Sequence, residues 1–158
     1  MKGQKTYKIG LILIKFPLLY YLLLYTWGII YSAIGILWSI VMIMTGHKPH
    51  YIKGGWYFVS WFNGGWGFEL GNCFVISKDA QDDFELICHE KGHLYQNAIF
   101  GPAFIFVVFA GIIRYWHREI HYYKKGIEPI TEYEDIWFEK SATMLGKESL
   151  MEKGEIEE

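Results

Sequence analysis

From Phe16 to Met44 the chain runs for 29 residues, FPLLYYLLLYTWGIIYSAIGILWSIVMIM, without a charged side chain. No other feature limits the fold as much. A run of about 18 or more such residues reads as a helix that crosses a bilayer or lies deep in it, because a helix satisfies its own backbone groups where water is absent. A secretory signal has an apolar segment of only about 7–15 residues and ends at a small-residue cleavage site. TGHKPH, which follows Met44, is no such site. Pro17 suits the first turn of a helix, where its missing N–H has no partner to lose. One straight helix over the run would be about 43 Å long, against a hydrocarbon core of about 30 Å. It must therefore tilt, protrude, or break near Gly28 or Gly35, and two full spans do not fit. Tyr20, Tyr21, Tyr25, Trp27, Tyr31 and Trp38 are spread along the run instead of gathering at its ends, so some of them should pack against protein.

The charges are as unevenly placed as the apolar residues. All seventeen acids lie from Glu69 onward, against nine Lys and Arg in the same part, while the first 68 residues carry lysines alone. A surface for nucleic acid needs a basic stripe on the folded part; that part is acidic here, and nucleic acid is not an expected partner. Four lysines before the apolar run, against Lys48 and Lys53 after it, favour an N-terminus in the cytoplasm. A second basic cluster, Arg114, Arg118, Lys124 and Lys125, lies on a side set by residues 102–113. Those residues, PAFIFVVFAGII, have a length that suits a buried or re-entrant helix better than a span. Cys73 and Cys88 are too few for a disulfide framework and read as small apolar residues.

Aromatic and β-branched residues on both sides of NGGWG, residues 63–67, predict a β-hairpin in which Gly64, Gly65 and Gly67 supply positive φ angles. The hairpin is either purely structural or an edge strand able to pair with an extended peptide. SKDAQDDFE predicts a helix start capped by Asp79, with Asp82, Asp83 and Glu85 in the favourable field of its N-terminus. That helix should run to Phe100 and stop at Gly101–Pro102, with Phe84, Ile87, Leu94 and Ala98 on one apolar stripe. Thr131 and Glu134 form a capping box for a last helix, from near Glu132 to Gly146 or beyond. The expected organisation is mostly α with a small β-hairpin: an N-terminal segment (1–45) with a transmembrane or membrane-embedded helix, a compact helical metal-site domain (46–150), and a polar tail (151–158).

Inside the predicted helix lies HEKGH, residues 89–93. Only a helix brings residues four apart onto one side. His89 and His93 then offer two imidazole nitrogens to one Zn²⁺, and Glu90 stands where it can take a proton from a water polarised by the metal. A catalytic zinc needs a third protein ligand and an open fourth position. Glu139 is the best candidate for that ligand, because Ala142, Thr143 and Gly146 on its helix face are small enough to let two helices approach closely. Asp135, one turn earlier, is a rival ligand or a partner for a ligating histidine, and His117 and His121, also four apart, are further alternatives. Tyr95, Tyr122, Tyr123 and Tyr133 are candidate donors to a developing oxyanion, with nothing in the sequence to choose among them; Gln96 and Asn97 read first as structural.

HEKGH followed by FEKSATMLG resembles the HExGH … ExxAD signature of gluzincins, above all the membrane zinc proteases related to the CAAX prenyl protease and the HtpX heat-shock protease. The longer pattern is also similar to small bacterial membrane proteins with HExGHxxQxxxxGP, a Tyr-rich segment and a TExWADxLG-like helix. The likeness extends over most of residues 16–146, with only the motif parts specific. It implies His89 and His93 as zinc ligands, Glu90 as general base, Glu139 as third ligand, and a minigluzincin-like domain in a bacterial inner membrane. Thr143 stands where the gluzincin pattern has an aspartate that supports a ligand. The expected activity is a zinc metallopeptidase whose partners are the lipid bilayer and a peptide or membrane-protein substrate. Two alternatives remain: a non-catalytic membrane protein with a structural zinc or a partner-binding role, and a hydrolase of non-peptide amides.

Overall fold

The computed structural model describes residues 2–127 and 136–151. The uncharged run does not form one helix. Helix α1 (Lys2–Lys15) precedes it, and the run itself divides into α2 (Pro17–Tyr25) and α3 (Ile29–Met44). Pro17 sets the first boundary, because the residue before a proline is driven out of the helical region. Phe16 sits at φ −118°, ψ 77°, and the chain turns by 111° between α1 and α2. The second boundary lies at Thr26–Gly28, one of the two places where the excess length called for a break. There Thr26 Oγ1 donates to the Leu22 carbonyl at 2.6 Å and Ser32 Oγ to that of Leu24 at 2.8 Å, so carbonyls near the break keep partners. Gly35 is instead a point of close approach inside α3, where a Cβ would stand 2.0 Å from the Leu70 carbonyl oxygen. The run expected to hold one spanning or embedded helix is thus divided in two, and α3 alone is only about 24 Å long. Among the described residues one continuous helical stretch, Phe84–Lys125, is long and apolar enough to cross a membrane; α1 and α2 would make a second only as one sharply bent span.

That stretch comprises α4 (Phe84–Phe100), a single 3-10 turn at Gly101–Ala103, and α5 (Phe104–Lys125); α6 (Trp137–Met151) follows. Helix α4 ends where its sequence predicts, but its N-cap is Asp83, which accepts from the Leu86 N–H at 3.0 Å. Asp79 has a different task. Its carboxylate accepts from the N–H groups of Gly64 and Gly65 at 2.9–3.2 Å, and hydrogen bonds from Ser77 and these two glycines lower its pKa to about 2. The twelve apolar residues after Gly101 do not end as a short helix: they continue into the 22 residues of α5, closed by Gly126 in the left-handed conformation at φ 64°. The capping box at Thr131 and Glu134 lies outside the described residues, as do Asp135, Tyr133 and residues 152–158 of the tail.

Between α3 and α4 the chain forms β1 (His50–Ile52), β2 (Gly55–Val59), β3 (Gly67–Leu70) and β4 (Cys73–Ile76), in spatial order β1-β2-β4-β3. The predicted hairpin across NGGWG is therefore not formed. Strand β4 lies between β2 and β3, parallel to the first and antiparallel to the second. The tight turns sit elsewhere, at Lys53–Gly54 and Gly71–Asn72, where Gly54 and Gly71 take φ 84° and 70°. CFVI is buried at all four positions, which suits a strand paired on both edges and covered on both faces. Side chains alternate accordingly: Phe58 and Val75 pack with Met42 of α3, and Phe74 and Ile76 pack with Leu94 of α4.

Helix α6 lies against α4 with almost no gap. A Cβ on Gly92 would stand 1.8 Å from the Ala142 carbonyl oxygen, and one on Gly146 would stand 1.7 Å from that of Cys88. On its other side α6 meets α1, where a Cβ on Gly10 would stand 2.2 Å from Leu145 Cδ2. Leu13, Ile14, Tyr20, Leu24, Tyr95, Ala98 and Leu145 form the core between these helices. Cys73 and Cys88 are unpaired and buried.

Candidate metal centre

The four-residue spacing of HEKGH on α4 and the close approach of α6 together bring three ligand atoms to one point. His89 Nε2 and His93 Nε2 are 3.2 Å apart, and Glu139 Oε2 lies 3.1 Å from the first and 3.2 Å from the second. With metal–ligand bonds of about 2.0–2.1 Å, two corners of a tetrahedral zinc site are separated by roughly 3.3 Å. The triangle therefore has the dimensions of one face of such a site, and His89, His93 and Glu139 could hold a metal ion. His93 and Glu139 are buried, and His89 is partly exposed.

Each imidazole is fixed through its second nitrogen. His89 Nδ1 lies 3.0 Å from Thr143 Oγ1, and Thr143 Oγ1 donates to the Glu139 carbonyl at 3.3 Å. The hydroxyl proton is thus engaged, and the oxygen accepts from His89 Nδ1–H. The acceptor on His89 is thus a neutral hydroxyl. His93 Nδ1 lies 2.9 Å from Gln96 Oε1. The Gln96 amide is oriented by donating to the Phe138 carbonyl at 2.5 Å and to Ser141 Oγ at 2.9 Å. Both contacts leave Nε2 of each histidine as the nitrogen with a lone pair directed at the metal position.

Glu90 is 5% exposed and lies against the backbone of β3: a Cβ on Gly67 would stand 2.6 Å from its Oε1. Gly67 is therefore needed for space and not for a turn; Gly64 and Gly65, at φ 143° and 62°, are the ones that take the positive angles. The metal-ligand atoms and Glu90 open on a cavity of about 790 Å³, within the usual size for small-ligand sites. One wall is β3. The facing wall is apolar and comes from α5, with Phe104, Val108 and Ile112 among its residues. Glu69 projects from β3 into the same space, and burial pushes its carboxyl up to about 8, with His93 opposing the shift and Glu90 adding to it.

Of the remaining sequence candidates, His117 and His121 lie exposed on α5, apart from the cluster. Asp135 and Tyr133 fall outside the described residues. Tyr95 faces the core between α4 and α6, its hydroxyl 2.9 Å from Ser149 Oγ; two residues past His93 it is turned by about 200° around the helix, a displacement legible in the sequence. The tyrosine that lines the cavity is Tyr31 of α3, which no local pattern indicated. Gln96, read as structural, orients His93 of the candidate cluster; its position three residues after His93, on the same helix face, was the available signal.

No protein-family model, no curated protein and no solved structure matches the chain. The functional reading therefore rests on the geometry.

Proposed function

We propose that this chain is a membrane-associated zinc metallopeptidase with His89, His93 and Glu139 as ligands and Glu90 as general base. The observation that carries the reading is the ligand triangle with edges of 3.1–3.2 Å, with a buried glutamate from the same helix turn beside it and a cavity in front. Two imidazoles and one carboxylate form a donor set suited to zinc, and zinc bound there supplies Lewis acidity that brings water ionisation toward neutral pH. The protein's own part is to hold both imidazoles by Gln96 and Thr143, to keep Glu90 in a low-dielectric wall where it can accept a proton, and to present the substrate.

A peptide as substrate is supported by β3. It is an edge strand and also one wall of the cavity, so its outer backbone groups can pair with an extended chain running past Glu90. Membrane association is supported by the surface. Leu18 and Leu22 of α2, Leu37, Ile40 and Met44 of α3, and Phe106, Phe109, Ile113 and Trp116 of α5 are all exposed, and large apolar side chains left uncovered in such number mark a surface for lipid or protein. Helix α5 contributes both to the cavity's apolar lining and to this surface, which supports a site next to the bilayer.

The test is metal analysis of the purified protein with peptide hydrolysis in detergent or vesicles. Glu90→Gln is expected to keep its zinc and lose about 10²–10⁴-fold in turnover, while Glu139→Ala loses the zinc. Full hydrolysis by Glu90→Gln would show that the reaction, if any, belongs to another site.

A further inference from the structure

On helix α5, Phe106, Phe109, Ile113, Trp116, Ile120 and Tyr123 follow one another at steps of three and four residues, and all are exposed. Such spacing puts them on one face of the helix, in a stripe about 26 Å long. The opposite face is the packed one, where a Cβ on Gly111 would stand 2.0 Å from Phe138 Cε1. The stripe does not stop where the uncharged part of α5 stops. It continues through the last twelve residues, RYWHREIHYYKK, which carry four basic side chains and one acid. That acid, Glu119, pairs with Arg118 at 3.3 Å. Arg114, Lys124 and Lys125 are exposed and form no ion pair among the described residues. At about 100° per residue they fall on one arc beside the stripe, with His117 and His121 between them.

A helix that is apolar along one face and cationic along the next discriminates among occupants. Water leaves the stripe uncovered. The middle of a bilayer receives the stripe but not the cations, which are costly there. A second copy of α5 would set three unpaired cations beside three others, and like charges brought together oppose association. The surface of a bilayer that carries negative headgroups meets both parts. The stripe then dips into the acyl boundary, Trp116 and Tyr123 lie at the level where such rings gather, and the cations reach lipid phosphates.

We propose that α5 is an interfacial helix that binds anionic phospholipid, with Arg114, Lys124 and Lys125 as the headgroup contacts. This deepens the membrane association put forward above and rests on it, but it does not depend on zinc or on hydrolysis. Phe109 belongs to the stripe and also lines the cavity, so the rim of the cavity lies at the lipid surface and substrate enters from there. The competing account is that the acids following α5 in the sequence, Glu128, Glu132, Glu134 and Asp135, neutralise the arc. That account gives no reason for a preference among lipids.

The experiment uses the full-length protein in vesicles of phosphatidylcholine and phosphatidylglycerol in equal parts, with bromine on the acyl chains of one lipid or the other. Bromine quenches only tryptophans it touches, and the difference between the wild type and Trp116→Phe isolates Trp116 from the other six. Quenching of Trp116 is expected to report about fivefold or greater preference for phosphatidylglycerol. The triple variant Arg114→Gln, Lys124→Gln, Lys125→Gln should lose that preference, while its circular dichroism and its quenching by phosphatidylcholine stay unchanged. Equal quenching by the two lipids, or a preference that survives the triple variant, overturns the proposal. So does a Trp116 that neither lipid quenches while other tryptophans are quenched, because protein then covers the stripe. If no tryptophan is quenched by either lipid, the membrane association itself fails and this proposal with it.

Discussion

The two sides of helix α4 are built on different principles. Toward α6 the contact is made by backbone on backbone: Gly92 and Gly146 leave no room for a methyl group, and polar side chains such as Gln96, Ser141 and Thr143 are tied into one network. Toward α2, α3 and α5 the described residues end in large apolar side chains that no other described residue covers. The inner interface leaves no slack between backbones, which is what a metal site of the proposed kind would demand. The outer surface has no such precision, and against the lipid proposed above it would need none, because a fluid hydrocarbon fits any shape. The proposed site thus lies at the seam between a rigid polar joint and an apolar surface.

The comparison breaks most severely at the inner interface. Gly92→Val places side-chain atoms inside the Ala142 carbonyl, so α6 must move away bodily. The expected result is loss of cooperative thermal unfolding together with loss of bound metal, a destabilisation at or beyond the roughly 1–3 kcal/mol usual for overpacking. Retention of metal by a folded Gly92→Val protein would show that the helices are not held at the distance described. On the outer surface, the pair Ile113→Glu and Trp116→Glu is expected to leave metal content intact and to reduce partitioning into neutral lipid vesicles by about tenfold or more, since two interfacial apolar anchors become charges. Unchanged vesicle binding would move the membrane contact to α2 and α3 alone. A gentler probe of the inner network is Gln96→Ala, which removes the acceptor on His93 Nδ1 without touching the metal position. Metal affinity, read by competition with a chelating dye, should fall about 10–100-fold, and the apoprotein should lose about 1–3 kcal/mol of stability because the Phe138 carbonyl loses a buried donor.

The same contrast explains what could be read from the sequence. The motif helix was legible because its signals are local, periodic apolar residues and a Gly-Pro stop. Its cap was misplaced by four residues, because Asp79 and Asp83 look alike in sequence and only Asp83 accepts from the helix. Glu139 was legible through the small residues that follow it at helical spacing. Strand order was not, because β4 enters between β2 and β3 by pairings that no single turn specifies, and NGGWG looks like a hairpin turn when read alone. Gly67 and Gly92 were hard for a related reason. A glycine retained for a neighbour's backbone looks the same in sequence as one retained for its own φ. Pro17 was read as the start of a helix, and the length of the uncharged run left a tilt, a protrusion or a break near Gly28 or Gly35 open, of which the structure has the break before Ile29. That α3 would turn one face to a sheet and hold its Tyr31 against the cavity depends on contacts distant along the chain.

Helix α6 lies between α4 and α1, and among the described residues it carries the one member of the cluster, Glu139, that does not come from the motif. Contacts between residues so far apart along the chain carry a loop-closure cost that must be met before they bring any stability. His89, Glu90 and His93 are brought together by the helix that carries them, whereas Glu139 joins them only once α6 has packed. On the reading proposed above, the packing of α6 is therefore itself a switch: a chain in which α6 is displaced keeps the motif and lacks the site.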